Sequence, residues 1–298
     1  MLYPMSTRDH MEYAAFRLLE FGLGCLSLNQ ARGALGGLGR FAGRRLRYRR
    51  AVVTSQLTAV FPDLGTARVE DLADRVYEHL GLTAAEAFCD RDGQLLSGIT
   101  VEPGWDILDE ALSHGKGAIV ATGHMGNFEL GGAVLAHRYG LLDVVKRQRN
   151  PIFDAHINAL RSARGIETVG MDEAGPAVLR QLKRGGLVAL LLDQDAGPDG
   201  MQVDFLGRPA STWPGVARIS IRTGCPVVPM ALVRQPDRSH RLRIRPALWP
   251  TGLSDRREDV RTFLARISLA TEAFIRDNPE QWFWVHRRWK HQGDGERS

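Results

Sequence analysis

The chain has 298 residues, of which 44% are hydrophobic and 24% charged, and its net charge is +5. This length and composition exclude a largely disordered or low-complexity protein and fit one large α/β domain with a helical extension, or at most two small domains. The three cysteines are widely separated, which excludes a disulfide framework or a zinc motif and favours a reducing compartment.

The first third of the chain, residues 1–95, has helical spacing of its apolar residues, with a break between helices at residues 61–63. The apolar stretch 13–31 is interrupted by charged residues, so it predicts neither a membrane span nor a signal peptide. Six arginines follow at residues 40–50. Together these features favour an interfacial helix on an anionic membrane surface, the alternative being a helix packed on the core.

Beyond residue 100 the pattern changes to short apolar runs bounded by Gly, Pro or Asp, which is typical of buried strands. Three such runs predict strands at 118–122, 187–192 and 227–233. Helical patterns lie between them at 152–160 and 178–182. This alternation predicts a layered α/β domain with a largely parallel or mixed central sheet flanked by helices, joined to the N-terminal helical extension.

The C-terminal part contains a short strand, a long helix and an aromatic, basic segment. Leu242 and Ile244 alternate with arginines and predict an edge strand, and 260–274 predicts an amphipathic helix that ends at residues 278–279. Residues 282–290, WFWVHRRWK, predict either an interfacial aromatic belt beside phosphate-binding arginines or a core-packed segment. We expect three regions: a membrane-associating helical region at 1–95, one integrated α/β core at 96–292 and a disordered tail at 293–298.

The sharpest local feature is ATGHMGNFEL at residues 121–130. A buried strand runs into a Gly-His-x-Gly turn, which places His124 at the carboxyl end of a strand, where open α/β sheets build their sites. Asn127 can cap the following helix. Glu129 lies in the first turn of that helix, so we expect it to accept a hydrogen bond from the imidazole and make His124 a general base.

A GxSxG nucleophile motif is absent from the sequence, so a covalent enzyme intermediate is not implied and a substrate hydroxyl is expected to attack. Spacing alone leaves an alternative open, because His-x4-Glu arises readily by chance. In that case His124 would be a capping or core histidine and Glu129 a charge at the helix N-terminus.

The GHMGNFE turn resembles the His-x4-Asp/Glu signature of the glycerolipid acyltransferase superfamily. More closely, the chain resembles the lipid A biosynthesis (lauroyl/myristoyl) acyltransferase family. Six segments carry the resemblance in order: HMGNFEL at 124–130, RNPIFD at 149–154 with LR at 160–161, LDQDAGP at 192–198, DFLGRPA at 204–210, CPVVP at 225–229 and WFWVHRRWK at 282–290. Two departures are Lys146, where the family commonly has Arg, and Phe128, where Trp is common.

The resemblance implies an enzyme that moves a fatty acyl chain from an acyl-carrier protein or acyl-CoA thioester to a hydroxyl of a membrane glycolipid such as a lipid A precursor, with no cofactor and no metal. His124 would be the base and Glu129 its orienter. Five residues would bind substrate: Asn127, Lys146, Arg149, Arg161 and Asp195. Arg161 would contact a headgroup phosphate or an oxyanion, and Asp195 would hold Arg161 or, alternatively, only shape a turn. The expected location is the cytoplasmic face of the bacterial inner membrane, peripheral or monotopic.

Other functions fit parts of the sequence. The acceptor could equally be a mannolipid, an ornithine lipid or a lysophospholipid. A metal-dependent hydrolase would use His124, Glu129, Asp193 and Asp195 as ligands, although no second histidine lies near the motif. A nucleic-acid-binding protein would use the arginine clusters, but the chain contains no recognised module of that kind, so no nucleic-acid partner is expected.

Overall fold

The computed structural model describes residues 6–90 and 93–291, so the predicted tail at 293–298 lies outside the described residues. The N-terminal part is helical, as predicted, and the break expected at residues 61–63 separates its third and fourth helices. Its helices are α1 (Thr7–Leu23), α2 (Leu28–Arg44), α3 (Arg50–Val60), α4 (Thr66–Cys89) and the short α5 (Gln94–Ser97).

Strands and helices alternate over most of the remaining chain. The helices are α6 (Asp106–Ser113), α7 (Phe128–Tyr139), α8 (Pro151–Ala163), α9 (Ala174–Lys183), α10 (Gly215–Thr223) and α11 (Arg257–Asp277). The strands are β1 (Thr100–Glu102), β2 (Ala118–Thr122), β3 (Leu141–Val145), β4 (Ile166–Gly170), β5 (Leu187–Leu191), β6 (Met201–Phe205), β7 (Arg208–Thr212), β8 (Val227–Arg234) and β9 (His240–Ile244).

Seven strands form the central sheet in the order β1-β9-β8-β2-β5-β3-β4. Every pair is parallel except β8 with β9. The prediction of a layered α/β domain with a largely parallel sheet is therefore confirmed. The central strands are continuous apolar runs because both faces of the sheet are covered by separate hydrophobic clusters.

The strand predicted at Leu242 and Ile244 is present as β9, but the prediction that it forms an edge of the sheet is wrong. β9 pairs with β8 on one side and with β1 on the other, so β1 is the edge of the sheet. β1 has only three residues and no buried side chain, and such a short strand gives no readable hydrophobic alternation. The charged residues that alternate along β9 form ion pairs across its surface, as Arg241 does with Glu102 at 2.9 Å.

The hydrophobic pattern of the sequence did not predict the antiparallel hairpin of β6 and β7. Its two-residue turn, Leu206-Gly207, has φ values of 54° and 83°, the left-handed geometry that joins antiparallel strands tightly. The hairpin covers the aromatic C-terminal segment, with the Phe205 ring 5.6 Å from Trp282 and 6.2 Å from Trp289. These two tryptophans and Trp284 are buried. The segment is thus core-packed, and the alternative of an interfacial aromatic belt is wrong.

The N-terminal helices share a core with the sheet. One hydrophobic cluster contains Leu57 and Val76 from the helices together with Met125, Ala231 and Trp282 from the second part of the chain. This packing brings α4 against the turn that follows β2.

The helix α1 packs on α8 through a few aromatic side chains and leaves much apolar surface open. Phe16 meets Phe153 edge to face at 4.9 Å, whereas Leu18 and Phe21 are more than two-thirds exposed. Within residues 6–90 and 93–291, we find no helix with the length and apolar character required to span a bilayer.

Candidate active site

The turn between β2 and α7 is held against the sheet by two glycines. Gly126 has a φ of 58°, and a Cβ there would lie 1.8 Å from the Leu232 carbonyl oxygen. A Cβ at Gly123 would lie 2.8 Å from the Asp193 carboxylate. Because neither position admits a side chain, the turn can approach both β8 and the end of β5. Asn127 caps α7 by accepting a hydrogen bond from the Leu130 amide at 3.1 Å, as predicted.

His124 is hydrogen bonded to Asp193. The Nδ1 atom lies 2.9 Å from Asp193 Oδ1, and the His124 backbone amide donates to Asp193 Oδ2 at 2.7 Å. The indole Nε1 of Trp282 donates to the same Oδ2 at 2.7 Å. An ionised Asp193 makes Nδ1 the protonated nitrogen, so Nε2 carries the lone pair, and the side-chain amide nitrogen of Gln194 lies 3.3 Å from it.

His124 and Asp193 each stabilise the charged form of the other. Burial disfavours the imidazolium, but the carboxylate of Asp193, together with those of Glu129 and Asp143, raises the pKa of His124. Burial also disfavours the Asp193 carboxylate, yet His124 and the indole of Trp282 hold its pKa below the ordinary value. The imidazole lies between the rings of Phe128 and Phe283, at centroid distances of 5.1 and 5.9 Å, and a quarter of its surface remains exposed. The geometry is that of a general base whose Nε2 meets only the exposed amide of Gln194 among the described residues.

Glu129 makes a different contact from the one we expected. Its carboxylate forms a two-point ion pair with Arg161, in which Nε donates to Oε2 at 3.0 Å and Nη2 donates to Oε1. The hydrogen bond predicted between Glu129 and His124 is made by Asp193 instead. Asp193 follows β5, the parallel neighbour of β2, so the ends of the two strands bring it beside His124, whereas α7 carries Glu129 towards α8.

Arg161 is half-buried beside this pair. Burial alone would lower its pKa, but the ion pair with Glu129 raises it, so the guanidinium carries a permanent positive charge next to the turn between β2 and α7. Its Nη1 also donates to Asn158 Oδ1 at 3.4 Å, a long hydrogen bond that leaves donor capacity for another oxygen ligand.

Asp195 does not hold Arg161, so that expectation is wrong. Its carboxylate accepts hydrogen bonds from His291 Nδ1 at 2.6 Å and from the Gly197 amide at 3.2 Å. The alternative role, a residue that shapes the turn after β5, agrees with these contacts. Its own amide donates to His286 Nε2 at 3.0 Å, so Asp195 ties the turn to the C-terminal segment.

The other three predicted substrate ligands lie in two different settings. Asn127 is buried, and its amide nitrogen donates to Glu86 Oε2 at 2.9 Å; with its oxygen on the helix cap, both ends of the side chain are used within the protein. Lys146 and Arg149 are exposed on the loop between β3 and α8. Their predicted contacts with substrate stay predictions.

A buried polar network contacts the turn between β2 and α7. Glu86 of α4 lies at its centre and accepts hydrogen bonds from four other buried side chains, namely Arg32, Asn127, Arg234 and His240. In the same network, His79 Nε2 lies 3.3 Å from the Gly126 carbonyl oxygen. Burial and the neighbouring guanidinium of Arg234 lower the pKa of His79 to about 3, so this histidine is neutral and can donate to that carbonyl.

A narrow, mostly apolar cavity lies between α7 and the sheet, directly below Glu129. The side chains and backbone that surround it are Val120, Thr122, Phe128, Glu129, Gly131, Gly132, Leu135, Leu141, Asp143, Ile166, Ala189, Leu191, Met230, Ala231, Leu232 and Leu242. Phe128 and Glu129 connect this cavity to the His124 turn. Two consecutive glycines of α7, Gly131 and Gly132, also line it and add no side chain at their positions.

The four residues considered as metal ligands are divided among separate partners. Glu129 is paired with Arg161 and Asp195 with His291, which leaves only His124 and Asp193 in contact. Across the described ranges, no group of three or more His, Cys, Asp or Glu side chains converges as a metal site.

Sequence reasoning missed the role of Asp193 and did not notice Glu86 or Asp143. The signal for Asp193 was present, because it follows a predicted strand just as His124 does, and adjacent parallel strands bring such residues together. Glu86 gave no signal, since a glutamate within a helix is usually solvated. Asp143 interrupts an apolar run in β3, which is the pattern that could have revealed a carboxylate inside the protein.

Known proteins that resemble the chain are lipid acyltransferases. The family model described as bacterial lipid A biosynthesis acyltransferase matches residues 7–291. The lipid A biosynthesis myristoyltransferase of Escherichia coli K12 is 25% identical over 270 residues, which cover 88% of this chain and 81% of that protein. The lipid A biosynthesis lauroyltransferase of the same organism is 24% identical, with coverages of 87% and 85%.

Two further similarities are partial or distant. The phosphatidylinositol mannoside acyltransferase of Mycobacterium tuberculosis H37Rv is 30% identical over 132 residues, which are 42% of this chain and 42% of that protein, so less than half of its length is matched. The crystal structure of the 1-acyl-sn-glycerophosphate acyltransferase from Thermotoga maritima aligns with a TM-score of 0.38 and 15% identity, covering 80% of this chain and 99% of that one.

Proposed function

Because the chain belongs to the bacterial lipid A biosynthesis acyltransferase family, we propose that it transfers a fatty acyl group from a thioester, on acyl-carrier protein or coenzyme A, to a hydroxyl of a membrane glycolipid. The observation that carries this proposal is the His124–Asp193 pair at 2.9 Å. It supplies a general base whose Nε2 is not occupied by a protein nucleophile, and an acyl transfer from thioester to alcohol needs such a base.

In the proposed reaction His124 acts as base and then as acid. Nε2 accepts the proton of the acceptor hydroxyl as the hydroxyl oxygen attacks the thioester carbonyl carbon. The tetrahedral intermediate collapses, the carbon–sulfur bond breaks, and the departing thiolate takes the proton back from the imidazolium. Asp193 keeps the imidazole in the correct tautomer and stabilises its positive charge throughout. No covalent acyl-enzyme forms.

Glu129 acts in this proposal through Arg161. The two-point ion pair fixes the guanidinium plane beside the catalytic turn, and the remaining donor capacity of Arg161 is directed to a headgroup phosphate or to the developing oxyanion.

The proposed acceptor is a glycolipid of the lipid A precursor type. Of the relatives that match most of the chain, several are named lipid A acyltransferases, and one, 26% identical over 271 residues, is named phosphatidylinositol mannoside acyltransferase. A mannolipid is therefore the second candidate. Ornithine lipids and lysophospholipids also offer a single acceptor group on an amphiphile, and they complete the set to be tested.

We place the enzyme at the surface of an anionic membrane, on the cytoplasmic face of the inner membrane. Most of the exposed large apolar side chains in the described part of the chain belong to its first fifty residues: Met11, Leu18, Leu19, Phe21, Leu26, Leu38, Phe41, Leu46 and Tyr48. An apolar surface of this kind beside basic residues suits insertion into the headgroup region.

Several arginines of residues 40–50 are paired with acidic side chains, so fewer unpaired positive charges face solvent than the sequence predicts. Arg40, Arg44 and Arg50 form ion pairs with acidic residues of α4. Arg45 and Arg47 are exposed, and they are the residues we propose to contact phosphate headgroups or an acidic carrier protein.

A direct assay tests the proposal. Purified protein is incubated with radiolabelled acyl-CoA or acyl-carrier protein and with each candidate acceptor lipid, and labelled product is separated by chromatography. We expect transfer with at least one acceptor, and loss of at least about a hundredfold in rate for His124→Ala. The control His137→Ala changes an exposed histidine of α7 and should retain wild-type turnover. Near wild-type turnover by His124→Ala would refute the mechanism.

A further inference from the structure

The turn that follows β5 presents an exposed polar side chain to His124. The side-chain nitrogen of Gln194 lies 3.3 Å from His124 Nε2. Because the ionised Asp193 keeps the proton on Nδ1, the amide is the donor of this hydrogen bond and Nε2 is the acceptor. Asp193 is buried, whereas Gln194 beside it is exposed. The nitrogen proposed to accept the hydroxyl proton is therefore met by an amide that faces solvent.

The backbone at Gln194 is fixed although its side chain is exposed. The Gln194 carbonyl oxygen accepts a hydrogen bond at 3.2 Å from Nη1 of Arg288, a completely buried side chain. Asp193 and Asp195 on either side each accept a hydrogen bond from the segment 282–291, at 2.7 and 2.6 Å. The amide group thus moves from a fixed origin, which keeps its reach close to His124 Nε2.

The reacting atoms of the proposed transfer occupy the same space. A hydroxyl that gives its proton to Nε2 must bring its oxygen to about 2.6–3.2 Å from that nitrogen, so it takes the place of the Gln194 hydrogen bond. As the hydroxyl oxygen bonds to the thioester carbon, an electron pair moves onto the carbonyl oxygen attached to the same carbon. This oxygen is the nearest new acceptor for the displaced amide N–H.

An uncharged donor suits this position. A lysine or arginine beside Nε2 would lower the pKa of His124 and oppose its action as a base. A side-chain amide stabilises a negative oxygen through its N–H dipole without opposing the imidazolium, and amides of this kind form oxyanion holes. Arg161 is held by Glu129 and remains available for a phosphate group of the acceptor lipid.

We propose that Gln194 is a catalytic residue whose side-chain amide donates a hydrogen bond to the thioester carbonyl oxygen as this oxygen becomes negative. The inference rests on the proposed acyl transfer and adds a residue to it. The hydroxyl proton goes to His124 Nε2, the new carbon–oxygen bond forms, and the carbonyl oxygen carries the electron pair. When the intermediate collapses, the carbon–sulfur bond breaks and the thiolate takes the proton from Nε2. The Gln194 amide keeps its own protons throughout.

The first test separates a contact made in the transition state from a contact that only binds substrate. Gln194→Glu keeps the shape of the side chain without the N–H donor, and Gln194→Leu removes both polar atoms. Each should lower kcat for acyl transfer about 10- to 100-fold and change KM for either substrate by less than about threefold. Gln94→Leu replaces an exposed glutamine of α5 and should keep wild-type kinetics. Wild-type kcat in both Gln194 variants, or a rise in KM alone, would overturn the inference.

The second test uses an acyl donor whose carbonyl oxygen is replaced by sulfur. Sulfur is a weak hydrogen-bond acceptor, so a dithioester gains little from the Gln194 amide. Gln194→Leu should therefore lower kcat about 10- to 100-fold with the acyl thioester of coenzyme A, but less than about threefold with the matching dithioester. Equal losses with the two acyl donors would show that Gln194 does not act on the carbonyl oxygen.

The outcomes separate this inference from the proposed function. If the wild-type protein transfers no acyl group from coenzyme A or acyl-carrier protein to any candidate acceptor, the proposed function and this inference fail together. If it does transfer the acyl group and the Gln194 variants keep its rate, only the inference fails. Circular dichroism establishes that each variant folds, and Gln194→Glu decides the first test even if Gln194→Leu does not fold.

Discussion

At the level of single residues, the carboxylate of Asp193 determines what His124 can do. Its Oδ1 accepts a hydrogen bond from His124 Nδ1. Its Oδ2 accepts hydrogen bonds from the His124 backbone amide and from Trp282 Nε1. The imidazole therefore has one orientation and one tautomer before any substrate arrives. Such preorganisation avoids a cost of reorientation during the reaction.

We predict that Asp193→Asn lowers kcat by about 10²- to 10⁴-fold, because the amide does not stabilise the imidazolium or enforce the tautomer. The pH profile gives a second readout. His124 must be neutral to act as base, and Asp193 raises its pKa against the effect of burial. Removing the carboxylate lowers that pKa, so the acidic limb of the rate profile should move to lower pH.

The comparison is a rate profile between pH 5 and 9 for wild-type protein, Asp193→Asn and the exposed-site control Asp63→Asn. An acidic limb that stays in place in Asp193→Asn would show that Asp193 does not set the protonation of His124.

Glu129 and Arg161 should behave as one unit in a double-mutant cycle. Glu129→Gln and Arg161→Ala are each expected to lower kcat/KM by about 10- to 100-fold, and the double variant should be little worse than Arg161→Ala, a coupling of about 1–3 kcal/mol. The physical reason is that Glu129 acts only by positioning the guanidinium. Additive losses, measured in the same transfer assay, would mean that Glu129 also contacts the reacting groups.

Asp143 should make stability depend on pH in an unusual direction. Its folded-state pKa is about 7 against an ordinary value of 3.8, so between these values the folded protein holds a proton that the unfolded chain releases. The free energy of unfolding contributed by this group falls as pH rises through that window. Asp143→Asn should therefore be more stable than wild type at pH 8, on the order of 2 kcal/mol, with little difference at pH 4. Urea unfolding at both pH values measures this, and a difference that does not grow with pH would contradict it.

At the level of secondary-structure elements, the contact between α2 and α4 determines how the helical region meets the site. Their backbones touch because both helices present glycines. A Cβ at Gly39 would lie 2.1 Å from the Tyr77 carbonyl oxygen, and one at Gly81 would lie 2.0 Å from that of Leu35. α4 in turn carries Glu86 and His79, which hold the turn that contains His124.

We predict that Gly39→Ala destabilises the protein by about 2–3 kcal/mol, because the new methyl group would push α2 away from α4. Gly37→Ala is the matched control in the same helix: nothing lies within 4 Å of its added Cβ, and the gain in helix propensity should stabilise by up to about 1 kcal/mol. Urea denaturation followed by circular dichroism measures both. Equal effects of the two substitutions would contradict the close contact.

At the level of the whole molecule, the distribution of exposed apolar side chains is strongly uneven. α1, α2 and the segment after α2 carry most of the large exposed ones found in the described residues, whereas the α/β part carries few. The exposed apolar surface therefore lies mainly on the N-terminal helices, and α4 of the same helical region contacts the turn that carries His124.

Vesicle binding tests this asymmetry. Leu18→Ser with Phe21→Ser should weaken binding to anionic vesicles by at least about tenfold, because each side chain contributes roughly 1.5–3 kcal/mol when it leaves water. Leu269→Ser removes an equally exposed leucine of α11 and should leave binding unchanged. Sedimentation with vesicles at two salt concentrations separates the apolar from the electrostatic contribution to vesicle binding. Equal losses for the two variants would refute a dedicated lipid-binding side.

The amino-acid sequence by itself was sufficient for the fold class, most of the elements and the position of His124. Hydrophobic periodicity is a local property, so the helical region, the three buried central strands and the turn after β2 could be read from neighbouring residues. The cap at Asn127 follows from local chemistry in the same way. Ordered motifs along the chain indicated the family before any contact was known.

Only the tertiary structure decided which side chains meet. Asp193 lies sixty-nine residues from His124, and only the pairing of β5 with β2 makes it the partner in place of Glu129, which is five residues away. In the same way, only the pairing of β9 with both β8 and β1 shows that this strand lies inside the sheet and not at its edge. Burial decided the rest. Asp143 and Glu86 are ordinary acidic residues in the sequence, but in the fold Glu86 gains four buried hydrogen-bond donors, and burial raises the pKa of Asp143.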